Sequence, residues 1–218
     1  MKAIASLTAI LAATALSAHG ATFYTIAGVT TNNTVDFFVK ENMIQGAGVG
    51  FDAALPHDQT PGAATWVTNN RNGANDYYNV GGTIPIVVFD LGSNVLLNEI
   101  STWGYADTNT NGAKDFSLRF ATSAEGTGGF GTSITYNPVF EATFAFAPRD
   151  SNVFSQNVTA RYVEMTITDN WRGFQGAIPG GDRVGLGEVA FAIPVPEPSA
   201  TVCGLVSGFL LLRRRRRA

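Results

Sequence analysis

The stretch that decides the fold is IPIVVFDLG at residues 84–92, followed after a Ser-Asn break by VLLNEISTWGY at residues 95–105. β-branched and aromatic residues dominate the first run, and such residues favour extended strands. The Asp-Leu-Gly sequence that closes this run ends in a glycine, which suits a turn. These residues therefore predict two consecutive strands joined by a short turn.

Further segments show the strand pattern. In DFSLRFAT, residues 115–122, the side chains of Phe116, Leu118 and Phe120 alternate with smaller or polar residues, which predicts a half-buried strand. The same reasoning predicts strands in PVFEATFAF at residues 138–146, ARYVEMTIT at residues 160–168 and GEVAFAI at residues 187–193.

Gly- and Asn-rich connectors separate these segments, for example TNNRNGANDYYNVGG at residues 68–82 and DNWRGFQGAIPGGDR at residues 169–183. This composition favours turns and discourages helix and strand interiors. Between the two termini, no segment of ten or more residues has a clear helical period. Short strands with long turn-rich loops predict an all-β protein with the architecture of a jelly-roll β-sandwich.

The N-terminus has the organisation of a secretory signal peptide. Lys2 precedes an Ala-rich apolar run that extends to about Leu16, and Ala18 and Gly20 supply the small residues that a signal peptidase prefers. The apolar run is too short to span a bilayer as a helix. We therefore expect residues 1–20 to be removed and the protein to be exported.

The C-terminal segment, residues 194–218, combines three prolines, a short apolar stretch at residues 200–212 and five arginines at residues 213–217. A membrane-spanning helix needs roughly 20 residues, so this stretch is short for a permanent anchor. Clustered positive charge stays on the cytoplasmic side of a membrane. The segment therefore predicts a short hydrophobic sorting helix that anchors the protein transiently, with its C-terminus inside and the preceding domain outside.

Three residues of this segment form a sorting motif. Pro196, Glu197 and Pro198 stand just before the apolar stretch, and this arrangement resembles the PEP-CTERM sorting signal of Gram-negative bacteria. The resemblance implies processing by an exosortase-type enzyme. It also implies delivery to the cell envelope or to an extracellular polysaccharide matrix.

The order of segments in the middle of the chain is also familiar. ATWVT, VVFDLG, the long EISTWGYADTNTNGAKDFSLRFATS, ARYVEMTI and VGLGEVAF follow one another between about residues 35 and 193. This order resembles the discoidin or coagulation-factor type C domain, a galactose-binding-like jelly roll. The resemblance implies one such domain over residues 21–193, between the signal peptide and the sorting segment.

Charge and composition exclude several classes of function. Of the 14 Lys and Arg residues six lie in the terminal segments, as does one of the 17 Asp and Glu, so the middle carries eight positive and sixteen negative charges. Such a surface argues against nucleic acid as a partner. The middle also has a single histidine, His57, and no cysteine. A nucleophile–base pair or a zinc site has few residues to draw on, and we expect no catalytic activity.

Calcium is the metal that fits the residues present, because hard cations bind carboxylates, hydroxyls and carbonyl oxygens of loops. The resemblance implies one structural calcium held between a loop before the Trp and the Glu of the last strand. The matching positions are Asp58, Thr65 and Glu188. In the alternative interpretation, Asp58 caps a turn and Glu188 pairs with Arg183 or Arg161.

Aromatic residues in the loops are candidates for binding a sugar, because exposed rings stack on sugar rings and neighbouring polar groups bind hydroxyls. Trp171 and Arg172 in DNWRG, and Tyr77 and Tyr78 in NDYYN, have this chemistry. For Trp171, packing against its own loop is an equal alternative. Trp66 and Trp103 stand in strand-like contexts and are expected in the core.

The sequence thus predicts a non-catalytic carbohydrate-binding or adhesion module that is exported and sorted through its C-terminus. The alternative is a structural matrix protein that engages protein neighbours without recognising a sugar.

Overall fold

The computed structural model describes residues 21–33, 38–46, 65–69, 76–79, 83–105, 110–144, 149–173 and 180–194. Residues Ala21–Pro194 form one compact unit. The predicted signal peptide lies outside the described residues, as does the predicted sorting segment apart from Pro194. In the described part of the chain, no helix is long and apolar enough to cross a membrane.

The described residues form strands and two short 3₁₀-helices. The helices span Lys40–Ile44 and Gly126–Gly128. The strands are β1 (Ala21–Tyr24), β2 (Gly28–Thr31), β3 (Trp66–Val67), β4 (Ile86–Thr102), β5 (Asp115–Ala121), β6 (Val139–Glu141), β7 (Asp150–Ile167), β8 (Gly185–Leu186) and β9 (Val189–Pro194).

Two long strands, β4 and β7, connect two antiparallel layers. The first half of β4 lies between β2 and the second half of β7, which continues to β5 and β6. The second half of β4 lies between the first half of β7 and β9, which continues to β1. Phe89 contacts Phe191 across the layers with ring centroids 5.3 Å apart, and Phe120 contacts Phe154 at 5.5 Å. The predicted all-β jelly-roll sandwich is confirmed.

The two strands predicted over residues 84–105 are a single strand, so this detail of the prediction was wrong. The pairing of β4 with β7 continues on both sides of an irregularity between Asp90 and Val95. Gly92 has a positive φ of 78°, and its N–H donates to Asp90 Oδ1 at 2.8 Å. The Ser-Asn break is therefore a bulge that bends one strand. The strand predicted over residues 138–146 is also shorter, because β6 ends at Glu141.

The bend depends on a charged pair between neighbouring strands. Arg161 donates from Nε and Nη2 to the two oxygens of Asp90, at 2.8 and 2.9 Å. These hydrogen bonds, with that from the Gly92 N–H, hold the pKa of Asp90 below its usual value. The pair is partly exposed, so its contribution is moderate.

Replacing Asp90 with Ala is expected to lower the free energy of unfolding by about 1–2 kcal/mol, because the Arg161 and Gly92 donors lose their acceptor. Since the pKa of Asp90 is depressed in the folded state, this stability is present above the ordinary carboxyl pKa and disappears as the pH falls below it. Urea unfolding at neutral and acidic pH measures the effect. Asp90→Asn, which keeps an acceptor for the Gly92 N–H, should lose less than Asp90→Ala, and an equal loss would contradict this account.

The core confirms the alternation seen in the sequence. Phe116, Leu118 and Phe120 on β5 are fully buried, as are Trp66 and Trp103. Trp66 belongs to the main core, whereas Trp103 packs with Ala190 and Phe23 in a second, smaller cluster. Both predictions of buried tryptophans are correct.

Strand register defines two ends of the sandwich. The first residues of β4 and β5 lie at the same end of the sandwich as the last residues of β6 and β7. The pairs that show this are Ile86 with Thr166, Phe116 with Ile167 and Asp115 with Glu141. We call this end the loop end. β9 runs away from it towards the bend of β4, and its last residue, Pro194, pairs with Ala21. The described chain therefore begins and ends opposite the loop end.

Candidate functional site: the loop end

Two buried asparagines connect the segments of the loop end. The Asn170 side-chain amide donates to the carbonyl oxygens of Gly181 and Arg183, at 3.1 and 2.9 Å. Asn111 Oδ1 accepts the N–H groups of the same two residues, at 2.6 and 3.3 Å. Backbone polar groups in a buried turn need such partners. The turn at residues 180–183 is thus held against residues 110–113 and 169–173.

Arg172 is placed by this framework. Its backbone N–H donates to Asn170 Oδ1 at 3.2 Å, and its guanidinium forms an ion pair with Asp76. Its aliphatic stem lies against Gly181, where an added Cβ would come within 2.9 Å of Arg172 Cγ and where φ is +92°. Only glycine accommodates both demands. The Arg172 side chain remains 43% exposed, so donors of its guanidinium face solvent.

Asp76 accepts hydrogen bonds from the residues that follow it in its loop and also pairs with Arg172. Its Oδ1 accepts the N–H groups of Tyr78 and Asn79, at 3.1 and 3.2 Å, and its Oδ2 accepts from the Asn79 amide and Arg172. Asp76, Asn79 and Arg172 therefore form one polar cluster, which offers carboxylate and amide oxygens beside guanidinium and amide donors. Hydrogen-bonding groups of both kinds, converging on one place, are what a hydroxyl-rich ligand requires.

Trp171 adjoins this cluster. Its backbone N–H donates to the Gly112 carbonyl at 3.1 Å, and its half-buried ring packs edge-to-face on Phe144 with centroids 5.5 Å apart. Lys114 Nζ lies 5.8 Å from the ring centroid and donates to Asp169 Oδ2 at 3.1 Å. This hydrogen bond raises the pKa of Lys114. The ring therefore packs within the loops and is still partly exposed, and its contact with a ligand stays a prediction.

The two tyrosines lie deeper than the sequence predicted. Tyr77 is only 1% exposed, and its hydroxyl accepts from the Asn33 amide at 3.0 Å and donates to the Thr83 carbonyl at 3.1 Å. Tyr78 is half-buried and donates to the Ile167 carbonyl at 3.1 Å. The Tyr77 ring is thus part of the core and supports the loop, while Trp171 and Arg172 lie nearer to solvent.

Of the predicted calcium ligands, Asp58 lies outside the described residues, and the other two come close together. Trp66 pairs with Leu186 in the β3–β8 ladder, which sets Thr65 opposite Gly187, beside Glu188. The Asn42 amide donates to the Thr65 carbonyl at 2.7 Å, and the Gly46 N–H donates to Glu188 Oε1 at 3.1 Å. Residues 42–46 therefore adjoin both predicted ligands.

Glu188 and Thr65 have the features of metal ligands. The Glu188 side chain has no ion pair with a described cation, because Arg161 pairs with Asp90 and Arg183 lies 3.8 Å from Asp182, so the alternative pairing of Glu188 is not formed. Glu188 is 2% exposed, and burial raises its pKa to about 8. The buried Thr65 hydroxyl oxygen has no hydrogen-bond partner among the described residues. A lone buried carboxylate beside an unsatisfied hydroxyl fits the oxygen ligands of calcium.

A larger metal cluster is not formed by the described residues, since no three His, Cys, Asp or Glu residues within them are grouped as a metal site. The described chain thus offers two side-chain ligands together with nearby backbone oxygens. The predicted third carboxylate, Asp58, would have to complete the set.

Sequence reasoning missed most of the loop-end cluster. Asp76, Asn79, Asn111, Asn170 and Lys114 were not singled out, although Asp76 and Asn79 flank the two tyrosines that were. Asp76 and Arg172 are 96 positions apart in the chain. Nothing local in the sequence indicates such a pair.

Comparison with solved structures gives the class of protein that has this fold. Truncated AlyQ with CBM32 and alginate lyase domains matches with a TM-score of 0.51 and 19% identity, over 82% of this chain and 35% of that chain. This chain therefore spans about a third of that protein. Its sandwich is similar to those of carbohydrate-binding modules, and this similarity shows the fold alone.

This chain also aligns with nearly the whole length of two further solved domains. The family 32 carbohydrate-binding module of C. perfringens NanJ, in complex with galactose, has a TM-score of 0.49 and 11% identity over 79% of this chain and 99% of that chain. Chitosan-binding module 1 of a Paenibacillus sp. IK-5 chitosanase/glucanase has a TM-score of 0.46 and 15% identity over 79% and 98%. No protein-family model and no curated protein sequence matches this chain.

Proposed function

We propose that this protein is an exported, non-catalytic carbohydrate-binding or adhesion module that acts in the cell envelope or extracellular polysaccharide matrix. The observation that carries the proposal is the polar cluster of Arg172, Asp76 and Asn79 beside Trp171 at the loop end. The cluster is accessible, contains both donors and acceptors, and adjoins an aromatic ring.

The chemistry of the cluster suits a sugar better than a reaction. Arg172 and Asp76 neutralise each other, so neither is a free acid or base poised for proton transfer. The remaining donors of Arg172 and the exposed Asn79 amide can bind hydroxyl groups, and Trp171 can contact the apolar face of a sugar ring. The solved structure of the NanJ module contains galactose, which is in keeping with such a role for this fold.

Calcium would have a structural part in this proposal. Glu188 and Thr65, with Asp58 as a third ligand, would hold a calcium ion that neutralises the buried carboxylate. The ion would join β8 and β9 to the segment at residues 42–46. It would stabilise the sandwich by binding the folded state only.

Sorting would use the two ends of the chain. Residues 1–20 would direct export, and an exosortase-type enzyme would recognise Pro196, Glu197 and Pro198 while the apolar segment holds the protein in the membrane. Ala21 and Pro194 pair with each other opposite the loop end, so a tether at either terminus would be attached at the end of the sandwich that does not hold the polar cluster. This geometry supports presentation of the cluster away from the anchoring surface.

The test is glycan binding by the ectodomain, residues 21–194, on a glycan array and then by calorimetry. Arg172→Ala is expected to weaken binding about tenfold or more, because hydrogen bonds to a charged group contribute about 1.5–3 kcal/mol. The melting temperature should change little, since Arg172 is exposed.

The matched control is Arg119→Ala combined with Glu164→Gln, which removes an exposed arginine from β5, away from the loop end, without leaving the buried Glu164 carboxylate unpaired. We expect it to bind the glycan as the unmodified ectodomain does. Equal weakening by both variants would show that the loop end is not the binding site.

One observation favours the alternative of a structural matrix protein. β6 is an edge strand, and its Val139 side chain is 70% exposed. Free edges are available for pairing with another chain. An ectodomain that binds no glycan but self-associates, with Val139→Lys abolishing the association, would favour this function instead.

A further inference from the structure

Two donor–acceptor groups lie at the loop end near Trp171. The first consists of Arg172, which follows Trp171 in the chain, with Asp76 and Asn79. In the second, Lys114 lies 5.8 Å from the Trp171 ring centroid, donates to Asp169 at 3.1 Å and lies 3.5 Å from Asp115. We call these the arginine group and the lysine group.

Backbone pairing sets this order across the loop end. The Lys114 N–H donates to the Asp169 carbonyl at 2.9 Å, and the Trp171 N–H donates to the Gly112 carbonyl at 3.1 Å. Residues 112–114 therefore run beside residues 169–171 and bring the lysine group to one flank of Trp171. Arg172, the next residue in the chain, extends towards Gly181 and Asp76.

Each group contains one clearly exposed side chain, unlike the ion pair of Arg149 with Glu99. The Asp169 side chain is 45% exposed, close to the 43% of Arg172, whereas Glu99 and Arg149 are largely buried. Three peptide steps separate Asp169 from Arg172, at most about 10 Å of extended chain. The two groups are thus neighbouring but distinct.

From this arrangement we propose that the loop end binds an oligosaccharide of uncharged sugar units across two adjacent subsites near Trp171, one at each group. The inference rests on the proposed carbohydrate-binding function. Uncharged units fit because the cations of the two groups, as far as the structure describes them, are already neutralised: Arg172 by Asp76, and Lys114 by two carboxylates. The lysine group therefore carries excess negative charge and would repel an acidic sugar.

The test compares sugars of different length by calorimetry on the ectodomain. The probes are galactose with β-1,4-galactobiose, N-acetylglucosamine with N,N′-diacetylchitobiose, and glucose with cellobiose. For the pair that binds, the disaccharide should bind at least about tenfold more tightly, because a second set of charged hydrogen-bond partners is engaged.

Variants test whether the tighter binding of the disaccharide comes from the lysine group. Lys114→Met combined with Asp169→Asn removes both charges with little change in size, and should reduce the affinity for the disaccharide to that for the monosaccharide. Lys40→Met, which removes another surface lysine paired with an acid, is the matched control and should change neither. Arg172→Ala should weaken both sugars.

The possible negative results distinguish an error in the two-subsite proposal from an error in the proposed carbohydrate binding. If the unmodified ectodomain binds monosaccharide and disaccharide equally, or if the double variant weakens both alike, there is a single subsite and the proposal is overturned while carbohydrate binding stands. Absence of binding to any saccharide overturns the proposed function and the two subsites together. The length comparison uses the unmodified protein, so it holds even if the double variant does not fold.

Discussion

Glu188→Gln is expected to stabilise the calcium-free ectodomain at about pH 8 and to remove its response to calcium. The carboxyl is nearly inaccessible, and burial raises its pKa from 4.5 to about 8. Ionising this group inside the protein without a cation is unfavourable. The amide has similar shape and no charge, so it avoids this cost but offers calcium a much poorer ligand.

The direction of the pH dependence follows from the raised pKa. The folded state binds the Glu188 proton more tightly than the unfolded state, so stability is highest below the unfolded pKa of 4.5 and decreases as the pH rises towards 8. In chelator, we expect the unmodified ectodomain to lose on the order of 3 kcal/mol from this group between about pH 5 and pH 8. Saturating calcium should offset the loss, because the bound ion favours the carboxylate.

Urea unfolding at several pH values, with calcium and with chelator, measures both effects. Glu125→Gln is a suitable control, because Glu125 is a solvent-exposed carboxylate whose pKa is lowered to about 2 by hydrogen bonds from Ser133 and Thr122. That variant should keep the full calcium response. An unmodified ectodomain whose stability is the same with calcium and chelator at pH 8 would show that Glu188 does not hold the ion.

Arg149→Met is expected to destabilise the sandwich by about 3–5 kcal/mol, because it leaves the Glu99 carboxylate buried without its cation. Glu99 lies on β4 and is 4% exposed. Its Oε1 accepts from Arg149, from Ser101 Oγ at 2.9 Å and from Ser151 Oγ at 2.7 Å. The Arg149 guanidinium also lies over the Phe23 ring, 4.9 Å from its centroid, so β1 loses a contact as well.

A double-mutant cycle separates the buried charge from the lost packing. Adding Glu99→Gln to Arg149→Met removes the unpaired charge and should restore more than half of the lost stability, as measured by urea unfolding. If the double variant were as unstable as Arg149→Met, packing of the arginine stem would be the cause and not the ion pair. Arg149 and Glu99 pair with each other and not with the polar cluster of Arg172 and Asp76, so glycan binding by folded protein should be unchanged.

The strands and the core could be predicted because the alternation of apolar and polar residues along a strand shows which of its side chains are buried. Phe116, Leu118 and Phe120 recur every second residue, and a strand turns alternate side chains to the same face. The structure buries all three. That residues 84–105 contain one continuous strand was harder to predict, because a glycine after Asp-Leu is compatible with either a turn or a bulge. Long pairing with β7 decides between them.

The candidate site was predictable only in part. Trp171 and Arg172 were singled out because an aromatic residue and a cation in a turn-rich loop are suited to ligand binding, and their role stays a prediction. Tyr77 has the same local signature yet is buried, since its hydroxyl finds partners in Asn33 and Thr83 from other loops. Burial of a loop residue depends on which other loops cover it, and loop sequence alone does not contain that information.

The amino-acid sequence by itself determined that this protein is all-β, that its core is aromatic and that its ends are unlike its middle. These properties depend on periodicity and composition along short stretches of chain. Only the tertiary structure decided that Asp76 meets Arg172, that Lys114 and Asp169 lie beside Trp171, and that Thr65 lies close to Glu188. Each of these contacts joins residues far apart in the chain, and the sandwich forms them by bringing the ends of several strands together.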